Sequence, residues 1–119
     1  MAEHNQLGKA GESLALKHLK DKGYDILAKN YRFQKAEVDI IALKNETLVA
    51  VEVKTRSTPE FGNPQEFVKP AQMKRLVEAV DHFVNERHLD YEVRFDVIGI
   101  IKNKLGTRIE HLEDAFLHF

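Results

Sequence analysis

The chain has 119 residues and no cysteine. That excludes disulfides, thiolate zinc sites and cysteine nucleophiles, and it fits a reducing compartment. It also lacks any stretch approaching the ~18 consecutive apolar residues that a membrane-spanning helix needs. No apolar run follows Met1-Ala2-Glu3-His4-Asn5-Gln6, so a signal peptide is not expected and a cytoplasmic protein is. The chain is short of net charge too: Lys and Arg number 18 against 19 Asp and Glu, a balance of −1. It therefore has no overall basic footprint of the kind nucleic-acid binders carry. Binding to phosphates would have to come from a local basic patch or from metal ions. Repeats, low-complexity tracts and linkers are absent. What is present is an apolar fraction of 43%, too high for a disordered chain. The length suits one domain spanning residues 1–119, which buries roughly two thirds of its unfolded surface without a staple.

The hydrophobic pattern divides the chain into helices and strands. Leu7, Ala10, Leu14, Ala15, His18 and Leu19 recur at helical spacing and predict a helix over Gln6 to Lys22, with Gly23 as its stop. Gly8 and Gly11 lower the helix propensity, and a close approach to a neighbouring element would compensate. Strands are predicted over Tyr24 to Phe33, Glu37 to Lys44 and Thr47 to Thr55, the last two joined by Asn45-Glu46 as a hairpin. Arg56 to Val68 reads as a long loop, in which Phe61 and Phe67 either stack on a base or anchor the loop. Pro70 opens a second helix to about His88, with an apolar stripe of Met73, Leu76, Val77, Val80, Phe83 and Val84. Glu92 to Lys102 and Arg108 to Leu112 follow as strands, and Ala115-Phe116-Leu117 as a packed tail. The order αβββαββ implies an α/β fold, a mixed central sheet flanked by helices.

Alternation along a strand puts Glu52 and Lys54 on one face. A two-residue turn at Asn45-Glu46 sets Asp39 opposite Glu52 and Glu37 opposite Lys54. Strict alternation also puts Val38 and Ile40 together on the other face, with Val51 and Val53. Two carboxylates directly opposed repel each other and need relief. A hard divalent cation such as Mg²⁺ gives it, because that ion takes one or two carboxylates and keeps waters. Lys54 beside them could stabilise charge developing on a phosphoryl group or position a water. The same pattern admits a purely structural reading. In it Glu37 and Lys54 pair across the strands, and Asp39 and Glu52 take arginines such as Arg32 or Arg94.

Further residues stand near this constellation. Glu12, at the edge of the first helix's stripe, could aim a third carboxylate at the sheet or lie solvated. Thr55 and Arg56 leave the active strand and could contact phosphate. Lys69, Lys74 and Arg75 either extend a basic edge or are plain surface charges, and Gln72 opens the second helix beside them. Asp96 sits inside an apolar strand and calls for a partner, best an arginine. The six histidines show no tight metal-ligand spacing and read as surface or helix-packing residues.

The ordered set Gly8-Lys9-x-Gly11-Glu12, Asn30-x-Arg32, Glu37-Val38-Asp39-Ile40-Ile41, Val51-Glu52-Val53-Lys54-Thr55-Arg56 and Arg94-Phe95-Asp96-Val97-Ile98 resembles the YraN-like family of predicted bacterial endonucleases. That family belongs with the PD-(D/E)XK, restriction-endonuclease-like nucleases and is similar to archaeal Holliday junction resolvases. A lone Glu-x-Lys is a weak signal, whereas the ordered set covers about Gly8 to Phe116. The resemblance implies an αβββαβ core, Asp39 and Glu52 as metal ligands, Lys54 as the catalytic lysine and Glu12 as an additional helix-borne acid at the metal. One departure is Ala36, where the family usually has glycine before its Glu-x-Asp segment.

The expectation is a nuclease dependent on Mg²⁺ or Mn²⁺, with catalytic Asp39, Glu52 and Lys54, metal ligands Asp39, Glu52 and Glu12, and substrate contacts at Arg56, Thr55 and Lys74. DNA is preferred to RNA as substrate, branched or single-stranded DNA being what the resemblance suggests, and no membrane is involved. Junction-resolving relatives act as dimers, so a homodimer is expected. The alternatives are a non-catalytic nucleic-acid-binding or protein-interaction module on the same fold, and a metal-dependent phosphoesterase for a small substrate.

Overall fold

A computed structural model describes residues 2–58 and 69–115, with side chains from residue 7 onward. The elements are α1 (Ala2–Asp21), β1 (Asp25–Phe33), β2 (Ala36–Lys44), β3 (Thr47–Arg56), α2 (Pro70–Glu86), β4 (Glu92–Asn103) and β5 (Gly106–Leu112). The loop phenylalanines 61 and 67 and the tail beyond Ala115 lie outside the described residues.

The five strands form one sheet in the order β1-β2-β3-β4-β5. The β3–β4 pair is parallel, with α2 in the connection, and the other pairs are antiparallel. This is the α/β architecture expected, and it contains an αβββαβ core. One face buries Ile41, Leu48, Ala50 and Val97 against Met73, Leu76, Ala79, Val80 and Phe83 of α2. The opposite face buries Ile40, Ala42, Val49, Val51, Ile98 and Ile100 against Ala15 and Leu19 of α1. Covering on both faces explains why the central strands are apolar throughout instead of alternating with polar residues. The α2 stripe differs from expectation at one position. Val77 is 37% exposed, and Ala79 takes the buried place beside Val80, so the helix presents a narrow face to the sheet.

Local sequence sets the element ends. Gly23 has φ +90°, and the Tyr24 N–H donates to the Leu19 carbonyl at 3.0 Å, closing α1 with a left-handed cap that glycine adopts without strain. Asn45 and Glu46 have φ +49° and +65°, the geometry of a two-residue turn whose twist matches the flanking strands. Gly11 is a point of close approach: a methyl there would overlap the Thr55 side chain of β3. Gly8 makes no such contact among the described residues. Ala36 departs from glycine at no cost, because its backbone is not left-handed and its side chain joins the α2 core.

Two irregularities shape the end of the sheet where Asp39 and Glu52 lie. The β2–β3 ladder runs from Lys44↔Thr47 to Ile40↔Val51 in the expected register, then stops. Beyond it, residues 36–38 of β2 stay with β1, while Glu52 to Arg56 stay with β4. The two strands therefore part where the ladder would have paired Asp39 with Glu52 and Glu37 with Lys54, and those two expected pairs do not form. The second irregularity is a slip in alternation. Val38 and Ile41, three residues apart, both pack in the α2 core, and so do Ala28 and Tyr31 of β1. A regular strand would send such residues to opposite faces. Val38 and Ile40 consequently lie on opposite faces, contrary to the strict alternation expected from sequence. Asn30 and Asp39 sit at the step, between the pairs Lys29↔Ile40 and Tyr31↔Val38, and Asn30 has φ +50°.

Asp96 is fully buried and fully engaged, as its place in an apolar strand required. Arg94 donates to it through Nε and Nη2, both at 2.9 Å, His111 Nε2 lies at 2.8 Å, and the Asp114 N–H donates at 2.9 Å. Burial pushes this carboxyl up, but the bonds from His111, Arg94 and the Asp114 N–H outweigh it and hold the group below its ordinary value. His111 also meets His18 of α1 at 3.2 Å, so two histidines read from sequence as surface or helix-packing residues belong to a polar network. Among the described residues, no helix is long and apolar enough to cross a membrane.

Candidate active site

The parting of β2 from β3 leaves main-chain groups without ladder partners, and an acid side chain fills part of the gap. Asp39 Oδ2 accepts a 2.8 Å hydrogen bond from the Val53 N–H. This bond pins Asp39 across the opening, beside Glu52. Glu52 is 6% exposed, and its Oε1 has no hydrogen-bond partner among the described residues. An unpartnered carboxylate oxygen at that depth is costly in any resting protein and calls for a proton or a cation.

The electrostatics agree. Glu52 is raised from 4.5 to about 8, first by burial and then by repulsion from Asp39, against the opposing pull of Lys54 and the Asp39 N–H. Asp39 is raised from 3.8 to about 6, first by burial, partly offset by the Val53 N–H, with Glu12 and Glu37 adding repulsion and Lys54 relieving it. Two neighbouring carboxyls whose values both rise share too little positive charge. The two arginines that the structural reading assigned to the pair are committed elsewhere. Arg32 Nη2 faces Glu37 at 3.4 Å, and Arg94 serves Asp96 and, at 3.6 Å, Glu113. Arg32 and Arg94 therefore do not pair with Asp39 and Glu52, and no Glu37–Lys54 bridge forms among the described residues.

Clefts open from the acid pair toward both helices. On the α1 side a cleft of about 410 Å³ is lined by Glu12, Asn30, Glu37, Asp39, Lys54, Thr55 and Arg56, among others. An adjoining hollow adds Lys9 and Lys29. On the α2 side a cleft of about 310 Å³ holds Glu52 and Asp39 with Lys35, Gln72 and Arg75. The structure thus brings Glu12, Asp39, Glu52, Lys54, Thr55 and Arg56 together. Lys54 makes no ion pair within 4 Å among the described residues. Thr55 has a packing duty as well, since its side chain fits over Gly11. Lys74 is exposed and lines neither cleft, while its neighbours on α2, Gln72 and Arg75, line the α2-side one.

The family profile described as "Uncharacterised protein family UPF0102" matches residues 11–100. The chain belongs to this family. A UPF0102 protein of Christiangramia forsetii is 67% identical over 119 residues, covering all of both chains. Others are 57% identical in Flavobacterium psychrophilum, again over the whole of both chains, and 46% identical in Bacteroides thetaiotaomicron, over 98% of this chain and 96% of that one. The matched span takes in Glu12, Asn30, Asp39, Glu52, Lys54 and Arg75, whereas Leu7, Gly8 and Lys9, which also line the α1-side clefts, precede it.

Among the described residues no group of three or more His, Asp or Glu converges closely enough to enclose a metal. What stands preformed is the Asp39–Glu52 pair. Glu12 stands in the same α1-side cleft as Asp39, where it meets Asn30, with the amide NH₂ 3.0 Å from Glu12 Oε1 and 3.1 Å from Glu37 Oε1. The carboxylates only accept, so the NH₂ end is the one that faces them. The pair, with the orphaned Glu52 oxygen, fits a Mg²⁺-type ion, which needs one or two carboxylates and completes its shell with water and phosphate. Asn30 was quoted from the sequence without a role. Its left-handed backbone in a strand is a signal that asparagine tolerates better than most side chains, but only the fold shows which acids it reaches.

Proposed function

We propose that this chain is a divalent-metal-dependent nuclease of the PD-(D/E)XK kind, hydrolysing phosphodiester bonds in DNA. The observation that carries this is the pair of buried Glu52 and half-buried Asp39 at the parting of β2 and β3, with a Glu52 oxygen that has no partner among the described residues and with Arg32 and Arg94 committed to other acids. Asp39 and Glu52 would hold Mg²⁺ or Mn²⁺. Such an ion, when bound, supplies Lewis acidity at a phosphoryl oxygen and a more acidic water. The Val53 N–H keeps Asp39 oriented, which lowers the ordering entropy that metal binding would cost at this residue. Lys54 presents an ammonium beside both acids, where it stabilises negative charge growing on the phosphoryl oxygens as water attacks. Lys9, Lys29 and Arg56 on the α1 side, with Lys35 and Arg75 on the α2 side, form a local basic rim. That rim supports phosphate binding by a chain whose net charge is only −1.

The test is Mn²⁺- and Mg²⁺-dependent cleavage of labelled single-stranded, duplex, flap and four-way-junction DNA, with RNA alongside. Asp39→Asn serves as control against contaminants. Cleavage by the natural chain that vanishes in the variant supports the reading and names the substrate class. Binding to one substrate with no cleavage of any would replace it with the non-catalytic module, the reading that the weak net charge favours.

A further inference from the structure

Beside the parting strands, Asn30 of β1 links α1 to β2 and has no part in the chemistry proposed above. Asn30 lies in β1 at the step where alternation slips, opposite Asp39, and its φ of +50° turns the amide into the α1-side cleft. There its NH₂ reaches Glu12 Oε1 of α1 at 3.0 Å and Glu37 Oε1 of β2 at 3.1 Å. Glu37 is tied in turn to Arg32 by its other oxygen, at 3.4 Å. Glu12, Glu37 and Asp39 line one cleft, and like charges so gathered push apart. A neutral group with two N–H donors is suited to hold two acceptors there without adding charge.

We propose that Asn30 is a positioning residue, which holds Glu12 in the cleft so that this acid acts on the metal site formed by Asp39 and Glu52. This rests on the metal-dependent reading above. The helix alone would not fix Glu12: its side chain has several rotatable bonds and is only partly buried. The bond to Asn30 ties it to the sheet, and with Glu37 and Arg32 it forms a chain from α1 across β1 to β2. Loss of an outer partner of this kind typically costs on the order of tenfold in metal affinity.

The experiment is a double-mutant cycle on the full chain, read by Mn²⁺ titration calorimetry with no substrate present. Asn30→Gly retains the left-handed backbone and removes only the amide. Asn30→Gly and Glu12→Gln should each weaken Mn²⁺ binding about tenfold, and the double variant should bind no more than about twofold more weakly than Glu12→Gln alone. Multiplied losses, or natural affinity in Asn30→Gly, would overturn the proposal while leaving the metal site standing. A natural chain that binds no Mn²⁺ would end the metal-dependent reading and the proposal with it. A second readout needs no metal. Asn30→Asp, which tolerates the same backbone but replaces donors with a charge, should melt lower than the natural chain, and adding Glu12→Gln should restore part of the loss. No restoration would mean that Asn30 and Glu12 do not interact.

Discussion

Replacing Glu52 by glutamine should make the metal-free protein more stable at alkaline pH. The carboxyl rises from 4.5 to about 8 on folding, first because it is buried and then because Asp39 repels it. Between those values the folded chain holds a proton that the unfolded chain has released. Stability is therefore full below about pH 4.5 and is lost as pH rises through about 8. At ~1.4 kcal/mol per pH unit the ceiling on that loss is about 5 kcal/mol. Coupling to Asp39 and relaxation of the site reduce the expected gain from Glu52→Gln to about 2 kcal/mol at pH 8.5. With an unfolding entropy of ~2.1 cal/mol/K per residue, this is a rise in Tm of about 8 °C. At pH 4 the two proteins should melt together. Excess Mn²⁺, at ~100 times its Kd, should restore about 2.7 kcal/mol to the natural chain at pH 8.5 and little to the variant. The assay is a set of thermal melts across pH, with and without Mn²⁺. A variant that melts at or below the natural chain at pH 8.5 would refute the reasoning, because Glu52 would then have a partner worth more than its burial costs.

Three other outcomes follow from separate parts of the molecule. Lys54→Ala should leave Mn²⁺ binding within a few-fold and abolish turnover, as calorimetry and cleavage together would show; lost binding would make Lys54 structural. Gly11→Ala should destabilise by about 1–3 kcal/mol through overlap with the Thr55 side chain, and Thr55→Ala should relieve most of that in the double variant's melt. If the pair is additive, the close approach does not exist in solution. Asp96→Ala should cost about 3–5 kcal/mol in chemical denaturation, because it removes the fully buried partner of Arg94 and leaves His111 Nε2 and the Asp114 N–H without their acceptor. A loss below 1 kcal/mol would show that the network is not needed.

Local pattern carried much of the architecture. Alternation and β-branching marked β2 and β3, and the positions of Asn45 and Glu46 set a register that the observed ladder keeps from Lys44↔Thr47 to Ile40↔Val51. The 3.6-residue period marked α2, and misassigned only the edge of its stripe, where Val77 and Ala79 compete for the boundary. Periodicity has no means of choosing between neighbours on a stripe's margin, because that choice depends on where the sheet curves away. Gly8 and Gly11 were legible alike as points of close approach, but not which of them makes one or against what, since Thr55 lies 44 positions on from Gly11 in the chain.

The site shows the same division more sharply. By itself the sequence determined which residue types could do the chemistry and that Glu52 and Lys54 belong to one strand, because side-chain identity and two-residue alternation are local properties. It also determined that Asp39 comes near Glu52, because a short turn leaves the hairpin few registers. Only the tertiary structure decided that the strands part at Asp39, that Arg32 and Arg94 are spent on Glu37 and Asp96, and that Glu12 is held by Asn30. It also decided that Arg75, and not Lys74, turns toward the acids. These outcomes depend on which distant groups compete for the same partner, and on how far the sheet must twist to be covered by α1 on one side and α2 on the other. A charge becomes available or committed only when the whole chain has closed around it.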